Sequence, residues 1–311
     1  MSAGPAVSTA PITSNVNRPM LDDLDMPLGK RVRLRRLLYE RGLKNGTLLV
    51  LPIDQGLEHG PIDFFPNPPS QDPEFQWRLA LEGNYNGVAC HYGLARKYMA
   101  KYAGKVPLVL KINGKTNIPD VDPLSSLTAS VEDAVALGAD AVGYTLYVGS
   151  PRQDEDIQQL AMVREDCDKY NMPLIVWSYP RGSAIGGKGG QDSLYAVDYA
   201  ARVALEMGAD IVKLNIPKHS DKDGEQPGEY AGMEFDYGEG ARRVVESAGR
   251  CMVLFSGGSK LGDEDLLTKA RTSMEAGATG LIFGRNMWQR PYDEAIAVTT
   301  RVMDVLKEFG A

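Results

Sequence analysis

Cysteine and histidine are both scarce in this chain of 311 residues, which has three of each. The cysteines, Cys90, Cys167 and Cys251, are far apart in sequence, and no Cys-x-x-Cys pair occurs. Three widely spaced cysteines argue against a disulfide framework and favour a reducing compartment, so we expect a cytoplasmic location. The histidines show no metal-ligand spacing such as His-Glu-x-x-His. We therefore expect no metal and no cofactor, although the sequence alone leaves a two-histidine metal site open.

Long apolar runs and an excess of basic residues are also missing. No apolar stretch approaches the ~20 residues that a membrane-spanning helix needs, and the N-terminus has no apolar signal-peptide core. The formal net charge is -7 and the isoelectric point is about 5.2. Because no basic stripe is evident, we expect neither a membrane nor a nucleic acid as partner. A small anionic ligand stays compatible with this charge, since it needs only local positive potential.

Glycine, by contrast, is abundant, with 33 residues, and three of them mark a repeated pattern. The stretches "AVALGADAVGY", "ALEMGADIVKL" and "SMEAGATGLIF" each show a helix end, a glycine, a short polar turn and a strand. Gly138, Gly208 and Gly277 occupy the position after a helix where the backbone adopts a positive φ, which glycine does most easily. The pattern predicts a repeating joint between a helix and the next strand.

Short apolar runs of strand-forming residues recur between helical patterns along most of the chain. We predict strands at 47–53, 87–90, 106–112, 141–147, 174–179, 211–215, 252–256 and 280–284. Strands that are buried on both faces and alternate with helices form parallel sheets, and eight of them favour a (β/α)8 TIM barrel of the α/β class. An open doubly wound sheet is the alternative, but no Gly-x-Gly-x-x-Gly motif follows the first strand.

The predicted barrel is a single domain with an N-terminal extension. Residues 28–311 form the barrel domain, and an extra helix at about 28–41 is expected to close its bottom. Residues 1–27 are rich in proline, serine and threonine, which predicts an arm that is flexible or ordered only against a neighbouring subunit. The widest connection, residues 217–240, follows strand six, and long loops of this kind tend to be functional.

Polar side chains collect at the predicted C-terminal ends of the strands, where barrel enzymes build their active sites. These side chains include Asp54, Glu58 and His59 after strand one, Lys111 on strand three, Tyr144 and Tyr147 on strand four, Trp177 and Tyr179 on strand five, and Lys213 on strand six. Period-two alternation places Trp177 and Tyr179 on the same face of their strand. We expect a carboxylate, two lysines and a tyrosine to converge on one mouth of the barrel.

The last two strands end in segments that suit a phosphate group. "SGG" (Ser256, Gly257 and Gly258) and "GRN", with Gly284 and Arg285, stand at consecutive strand ends. Barrels often bind phosphate through the loops after strands seven and eight, where backbone N–H groups point at the anion. Arg285 adds a charged fork. Simple turn chemistry explains each segment alone, and their pairing favours phosphate.

Lys213 stands at the end of an otherwise apolar strand beside this predicted phosphate site. An amine in that position suits Schiff-base formation with a phosphorylated ketone, provided that it is neutral. Burial and a second cation such as Lys111 lower the pKa of a lysine, whereas Asp54 acts in the opposite direction. Tyr179 can move protons on the neighbouring strand. The alternatives are a lysine that only extends to solvent and a tyrosine that only packs at the rim.

Seven motifs, in order, resemble the archaeal-type class I fructose-1,6-bisphosphate aldolases, which also occur in bacteria. They are "LPIDQGLEHGP", "LKINGKT", "AVGYTLYVGS", "VWSYPRG", "ADIVKLN", "LFSGG" and "GLIFGRNMWQR". The resemblance covers nearly the whole predicted barrel, from about Asp54 to Trp288. The chain departs from the family in its N-terminal arm and in the long segment 217–240.

The resemblance implies a metal-independent aldol cleavage of fructose 1,6-bisphosphate to dihydroxyacetone phosphate and glyceraldehyde 3-phosphate, and its reversal. It implies that Lys213 forms the Schiff base, that Tyr179 transfers protons and that Asp54 is the catalytic carboxylate. Trp177, Lys111, His59 and the "SGG" and "GRN" segments are expected to contact substrate. The family also implies a homo-oligomer, commonly a decamer. Related Schiff-base enzymes of the superfamily, a transaldolase-like synthase and a thiolase, and a non-catalytic sugar-phosphate sensor are the alternatives.

Overall fold

A closed barrel of eight parallel strands forms the centre of the computed structural model, which describes residues 18–311. The strands are β1 (Leu48–Pro52), β2 (Gly87–His91), β3 (Leu108–Lys111), β4 (Ala141–Val148), β5 (Leu174–Pro180), β6 (Ile211–Leu214), β7 (Met252–Ser256) and β8 (Gly280–Ile282). They follow one another around the barrel in chain order, and β8 pairs with β1. The predicted (β/α)8 barrel is therefore confirmed, and the open sheet is not formed.

Eleven α-helices lie within residues 18–311, mostly between the strands. They are α1 (Leu28–Arg35), α2 (Gln55–Glu58), α3 (Pro73–Glu82), α4 (Tyr92–Tyr98), α5 (Val131–Ala136), α6 (Gln153–Tyr170), α7 (Leu194–Glu206), α8 (Tyr237–Ala248), α9 (Asp263–Glu275), α10 (Arg285–Trp288) and α11 (Tyr292–Lys307). A two-residue ribbon pairs Asn113–Gly114 with Ser126–Leu127 beside the barrel. In this part of the chain, no helix has the length and apolar character needed to cross a membrane.

Local sequence signals explain where several of these elements begin and end. Ser130 and Asp133 form the predicted reciprocal cap of α5, in which each side chain accepts a hydrogen bond from the other's backbone N–H. Gly138, Gly208 and Gly277 have φ values of 69°, 85° and 98°, as the turn after each helix requires. The predicted third strand begins late, at Leu108, because Pro107 has no N–H to donate to a neighbouring strand.

Alternation along each strand separates two cores. Inward side chains such as Val50, Val109 and Ile211 pack together inside the barrel. Outward side chains such as Leu110 and Val212 pack against the surrounding helices in a larger cluster. Because alternation is fixed by the pleat, the face of any residue near a strand end follows from its position in the strand. Whether a polar residue at a strand end points into the barrel therefore depends on its odd or even position in that strand.

The bottom of the barrel is closed by α1 and the π-helical turn Arg36–Glu40 that continues it, as predicted. Leu34 and Leu37 are buried against the inner barrel core. Lys30 forms ion pairs with Asp168 and Asp210, the second of which directly precedes β6. The helix is therefore held to the N-terminal ends of the strands by both apolar and ionic contacts.

The predicted arm is described only from residue 18 onward. Residues 1–17 lie outside the described part of the chain, so the assignment of residues 1–27 as an arm stays a prediction. Leu21–Asp23 form a single 3-10 turn, and Leu21 is buried in the inner core cluster. The guanidinium of Arg31 on α1 donates to the carbonyl oxygen of Leu21 at 2.8 Å.

Candidate active site

A cavity of about 600 Å³ opens at the C-terminal ends of the strands. Nine of the predicted site residues line it: Asp54, His59, Tyr179, Lys213, Ser256, Gly257, Gly258, Gly284 and Arg285. They come from β1, β5, β6, β7, β8 and the loops that follow, so the barrel alone brings together residues far apart in sequence. The cavity is large enough for a phosphorylated sugar.

Lys213 lies on the inward face of β6, where only 7% of the residue is exposed. Its Cα pairs in register with Trp177 of β5, and its Nζ is hydrogen-bonded to the hydroxyl of Tyr179. No carboxylate of residues 18–311 forms an ion pair with it at 4.0 Å or less. Burial lowers the pKa of Lys213 to about 7, and Lys111 adds to this, whereas Asp54 opposes it. A substantial fraction of the amine is therefore neutral near pH 7.

Lys111 has the opposite electrostatic environment, although it is fully buried on the inward face of β3. Its Nζ lies 3.0 Å from Asp54 Oδ2 and 2.9 Å from Glu58 Oε1. Burial alone would lower the pKa of Lys111, but the two carboxylates outweigh it and raise that pKa. Burial likewise opposes ionisation of Asp54, and the Lys111 ammonium reverses the balance and lowers the pKa of Asp54. Lys111 is thus a fixed cation.

Lys111 and Trp177 lie behind the cavity wall rather than on its surface, since neither lines the cavity. The Trp177 ring centre lies 4.8 Å from Lys111 Nζ and 5.8 Å from Lys213 Nζ, so one indole lies beside both amines. Gly143 of β4 makes room for this arrangement. A Cβ there would lie 2.7 Å from the indole and 2.9 Å from the Lys111 side chain. Direct substrate contact by Lys111 and Trp177 stays a prediction.

The loops after β7 and β8 present backbone N–H groups to the cavity. Those of Gly258 and Gly284 have no hydrogen-bond acceptor among the residues that the structure describes. Gly258 has a φ of 73°, and Gly284 is buried at the start of α10. A Cβ on Gly257 would lie 2.5 Å from Asn286 Nδ2, so only glycine fits where the two loops meet. These features suit an anion that approaches the backbone closely.

Arg285 and His59 stand at the rim beside these loops and share one carboxylate. His59 Nδ1 lies 2.7 Å from Asp63 Oδ2, and Arg285 Nη1 lies 3.9 Å from the same oxygen. The Arg285 side chain is 28% exposed, which leaves most of its hydrogen-bonding capacity available to a ligand. Both residues are placed where the sequence predicted, and their roles stay predictions.

Tyr144 does not belong to the site, contrary to its inclusion among the strand-end residues. Its side chain points out of the barrel, and its hydroxyl donates to Asp156 Oδ1 of α6 at 2.6 Å. Tyr147, three residues later and of opposite parity, lines the cavity. The period-two rule applied to β4 separates these two tyrosines.

Other polar residues line the cavity without having been predicted from sequence, among them Asp192, Asn215, Lys218 and Lys269. Glu58, which the sequence placed on the loop after β1 together with His59, lines it as well. Asn215 accepts from the Ser256 hydroxyl at 2.6 Å and donates to Asp192 at 3.2 Å. Lys269 reaches from the middle of α9 to the carbonyl oxygen of Gly257, 3.2 Å away. Asn215 and Lys218 follow β6 closely enough to have been proposed, whereas nothing local marks Lys269.

Comparison with known proteins identifies aldolases as relatives of this chain. The family model of the DeoC/LacD family aldolases matches residues 48–290. The fructose-bisphosphate aldolase class 1 of Thermoproteus tenax is 42% identical over 79% of this chain and 85% of its own length. The enzyme of the same name from Halobacterium salinarum is 36% identical over 81% of this chain and 88% of its own.

Among solved structures, an archaeal fructose-1,6-bisphosphate aldolase is similar, with a TM-score of 0.74 and 39% identity. The alignment covers 87% of this chain and 99% of that one. In that structure the catalytic lysine is covalently bound to the carbinolamine intermediate of the substrate. The likeness thus extends over almost the whole barrel.

Proposed function

Because the chain belongs to the DeoC/LacD family of aldolases, we propose that it is a class I, Schiff-base fructose-1,6-bisphosphate aldolase. It cleaves fructose 1,6-bisphosphate to dihydroxyacetone phosphate and glyceraldehyde 3-phosphate and catalyses the reverse condensation. The observation that carries this proposal is the buried Lys213 amine, which lies beside the Tyr179 hydroxyl in a cavity with backbone N–H groups suited to phosphate. The enzyme is a lyase.

The first half of the reaction joins Lys213 to the substrate. The neutral amine attacks the C2 carbonyl of the open-chain ketose, and the oxygen takes a proton to give a carbinolamine. Loss of that oxygen as water, after a second protonation, leaves a protonated imine between Nζ and C2. Tyr179 is the group placed to pass these protons, since its hydroxyl contacts the reacting nitrogen.

Cleavage then uses the imine as an electron sink. A base takes the proton of the C4 hydroxyl, the C4–O electrons form the aldehyde, and the C3–C4 bond breaks toward the imine. Glyceraldehyde 3-phosphate leaves, and the enamine that remains is protonated at C3. Addition of water at C2 then releases dihydroxyacetone phosphate and restores the amine. We assign the proton transfers to Tyr179 and the orientation of substrate hydroxyls to Asp54, which lines the same cavity.

The two loops after β7 and β8 are assigned to the phosphate on the ketone side. Gly258 and Gly284 supply N–H donors, and Arg285 supplies a charged donor at the rim. Binding energy from a phosphate that does not react can hold C2 against the amine. His59 at the same rim is assigned to the substrate as well, and Trp177 and Lys111 support the amine from behind.

We infer a cytoplasmic homo-oligomer that acts in glycolysis or gluconeogenesis, with residues 28–311 as the barrel domain and residues 1–27 as an arm. Its scarce cysteines, all buried and unpaired, support a reducing compartment. Leu28 and Val32, one turn apart on α1, are 81% and 52% exposed, which supports a contact between subunits.

Chemical trapping tests the proposed function directly. Borohydride added with dihydroxyacetone phosphate should reduce the imine, inactivate the enzyme and add the mass of the reduced ligand to the peptide that contains Lys213. Lys269→Met is the control, because it also removes a lysine from the cavity wall and leaves the trap intact. A label on another lysine, or activity that is lost with chelator and restored by metal, would refute the mechanism.

A further inference from the structure

Glu58 is a half-buried carboxylate of the cavity wall for which the proposed reaction has no assigned step. It ends the four-residue helix α2, and its backbone N–H donates to the carbonyl oxygen of Asp54. Residues four apart on a helical turn lie on the same side, so the two carboxylates project together toward β3. There they contact the same ammonium, that of Lys111.

The contact determines where Lys111 can lie. The side chain is 0% exposed, so its ammonium has no access to water and depends on these two partners. The Trp177 indole lies beside both lysines, with its ring centre 4.8 Å from Lys111 Nζ and 5.8 Å from Lys213 Nζ. If one partner is lost, half of the anchoring of Lys111 is lost, and the ammonium can move toward the second amine.

The contact also determines the charge that faces Lys213. Asp54, Glu58 and Lys111 together carry one net negative charge, whereas Asp54 and Lys111 alone carry none. We propose that Glu58 is a positioning residue, which anchors the Lys111 ammonium beside Asp54 and keeps one net negative charge facing the Schiff-base lysine. The inference rests on the proposed function for its meaning, but its test does not require turnover.

The other titratable groups near Lys213, from β2, β4, β5 and β8, do not supply this negative charge. His91 of β2 lies 4.0 Å from Glu58, and burial first and Lys111 second lower the pKa of His91 to about 4, so it is neutral near pH 7. Arg285 of β8 adds positive charge, and Asp63 near its guanidinium offsets it in part. Burial raises the pKa of Tyr147 of β4 to about 12, and the hydroxyl oxygen of Tyr179 of β5 accepts a hydrogen bond from the amine.

The charge of Glu58 favours the ammonium form of Lys213, as does that of Asp54. Glu58→Gln removes the charge and keeps an oxygen that can accept from Lys111. In the variant, the Lys213 ammonium should therefore lose its proton at a lower pH. The expected difference is roughly 0.5–1 pH unit for one charge a few ångströms beyond contact. At pH values below the wild-type midpoint, Lys213 should then be more reactive in the variant than in the wild type.

Competitive acetylation of the free enzyme measures this without any sugar phosphate. The rate of acetic anhydride labelling of the Lys213 peptide, followed by mass spectrometry from pH 5.5 to 9, gives the midpoint for the neutral amine. We expect a midpoint near 7 in the wild type, a lower one in Glu58→Gln, and no change in the control Glu229→Gln, an exposed residue outside the cavity. The acid limb of kcat/KM should move with the midpoint.

An unchanged or raised midpoint in Glu58→Gln overturns the inference. If that variant does not fold, Glu58→Asp tests the inference instead. Its shorter carboxylate keeps the charge but reaches Lys111 less well, so it should lower the midpoint by a smaller amount than Glu58→Gln. No shift in Glu58→Asp then overturns the inference as well. A shifted midpoint in a protein without aldol cleavage refutes the proposed function alone, and successful borohydride trapping without a shift refutes this inference alone.

Discussion

Tyr179→Phe is the substitution that most directly separates chemistry from structure in this site. It removes one hydroxyl, which contacts the Lys213 amine, and keeps the ring that packs against the inner barrel core. A positioned acid–base group contributes typically 10²–10⁴-fold, so we expect kcat to fall by at least about 100-fold, or about 2.7 kcal/mol in the activation barrier.

The stability effect should be much smaller. A lost hydrogen bond of this kind contributes about 0.5–1.5 kcal/mol, and the half-buried side chain leaves its neighbour partly open to water. In a chain of this length that corresponds to a change in Tm of a few degrees at most. The two effects are measured by steady-state cleavage of fructose 1,6-bisphosphate and by thermal unfolding of the same preparation. Borohydride trapping should slow along with turnover, because dehydration of the carbinolamine needs a proton.

Tyr230→Phe is the matched control. Its hydroxyl donates to Asp198 at 2.7 Å, outside the cavity, so the variant loses a comparable hydrogen bond without touching the site. Its kcat should stay near the wild-type value. Near-normal turnover in Tyr179→Phe would move the proton transfer to Tyr147 or Glu58, since Tyr144 points away from the cavity. Loss of folding would show instead that Tyr179 is a structural rim residue.

Two further substitutions test the phosphate site. Arg285→Ala should raise KM for phosphorylated substrates by roughly 10–100-fold with a smaller loss in kcat, because a charged hydrogen bond contributes about 1.5–3 kcal/mol; an unchanged KM in steady-state kinetics would remove Arg285 from the site. Gly257→Ala places a Cβ 2.5 Å from Asn286 and 3.1 Å from Phe283, so it should raise KM and lower Tm together. Gly232→Ala, where a Cβ meets nothing within 4 Å, should change neither, and equal behaviour of the two glycine variants would contradict the close-approach argument.

The parts of this fold that could be predicted from sequence depend on local rules. Gly138, Gly208 and Gly277 were identifiable because a positive φ after a helix nearly requires glycine. The same holds for the cap of α5, where Ser130 and Asp133 are three residues apart and contact only each other's backbone. Pairing order around the barrel followed from the alternation of strands and helices, since parallel neighbours need a crossover helix.

The parts that could not be predicted depend on contacts between elements that are far apart in sequence. The ion pairs of Lys111 need one turn of α2 to point two carboxylates at β3, and no spacing in the sequence marks Glu58 as the second partner. Lys269 enters the cavity wall only because α9 packs at a particular depth beside β7 and β8. The outward placement of Tyr144, by contrast, is predictable from sequence, because Tyr144 and Tyr147 are three residues apart on one strand and therefore point to opposite faces.

The contrast between Lys111 and Lys213 explains how one small site holds two lysines in different protonation states. Both are nearly inaccessible to water, and burial by itself lowers the pKa of each. Two carboxylates in direct contact reverse that effect for Lys111, whereas Lys213 contacts a phenol and forms no ion pair with the same carboxylates. We infer from these opposite environments that the charged amine organises the site and that the neutral amine is the nucleophile of the proposed reaction. In a sequence with both lysines but without the Asp54–Glu58 turn, burial would therefore lower the pKa of both amines. Neither lysine would then be held in the charged form, and the site would not distinguish one of them as the nucleophile.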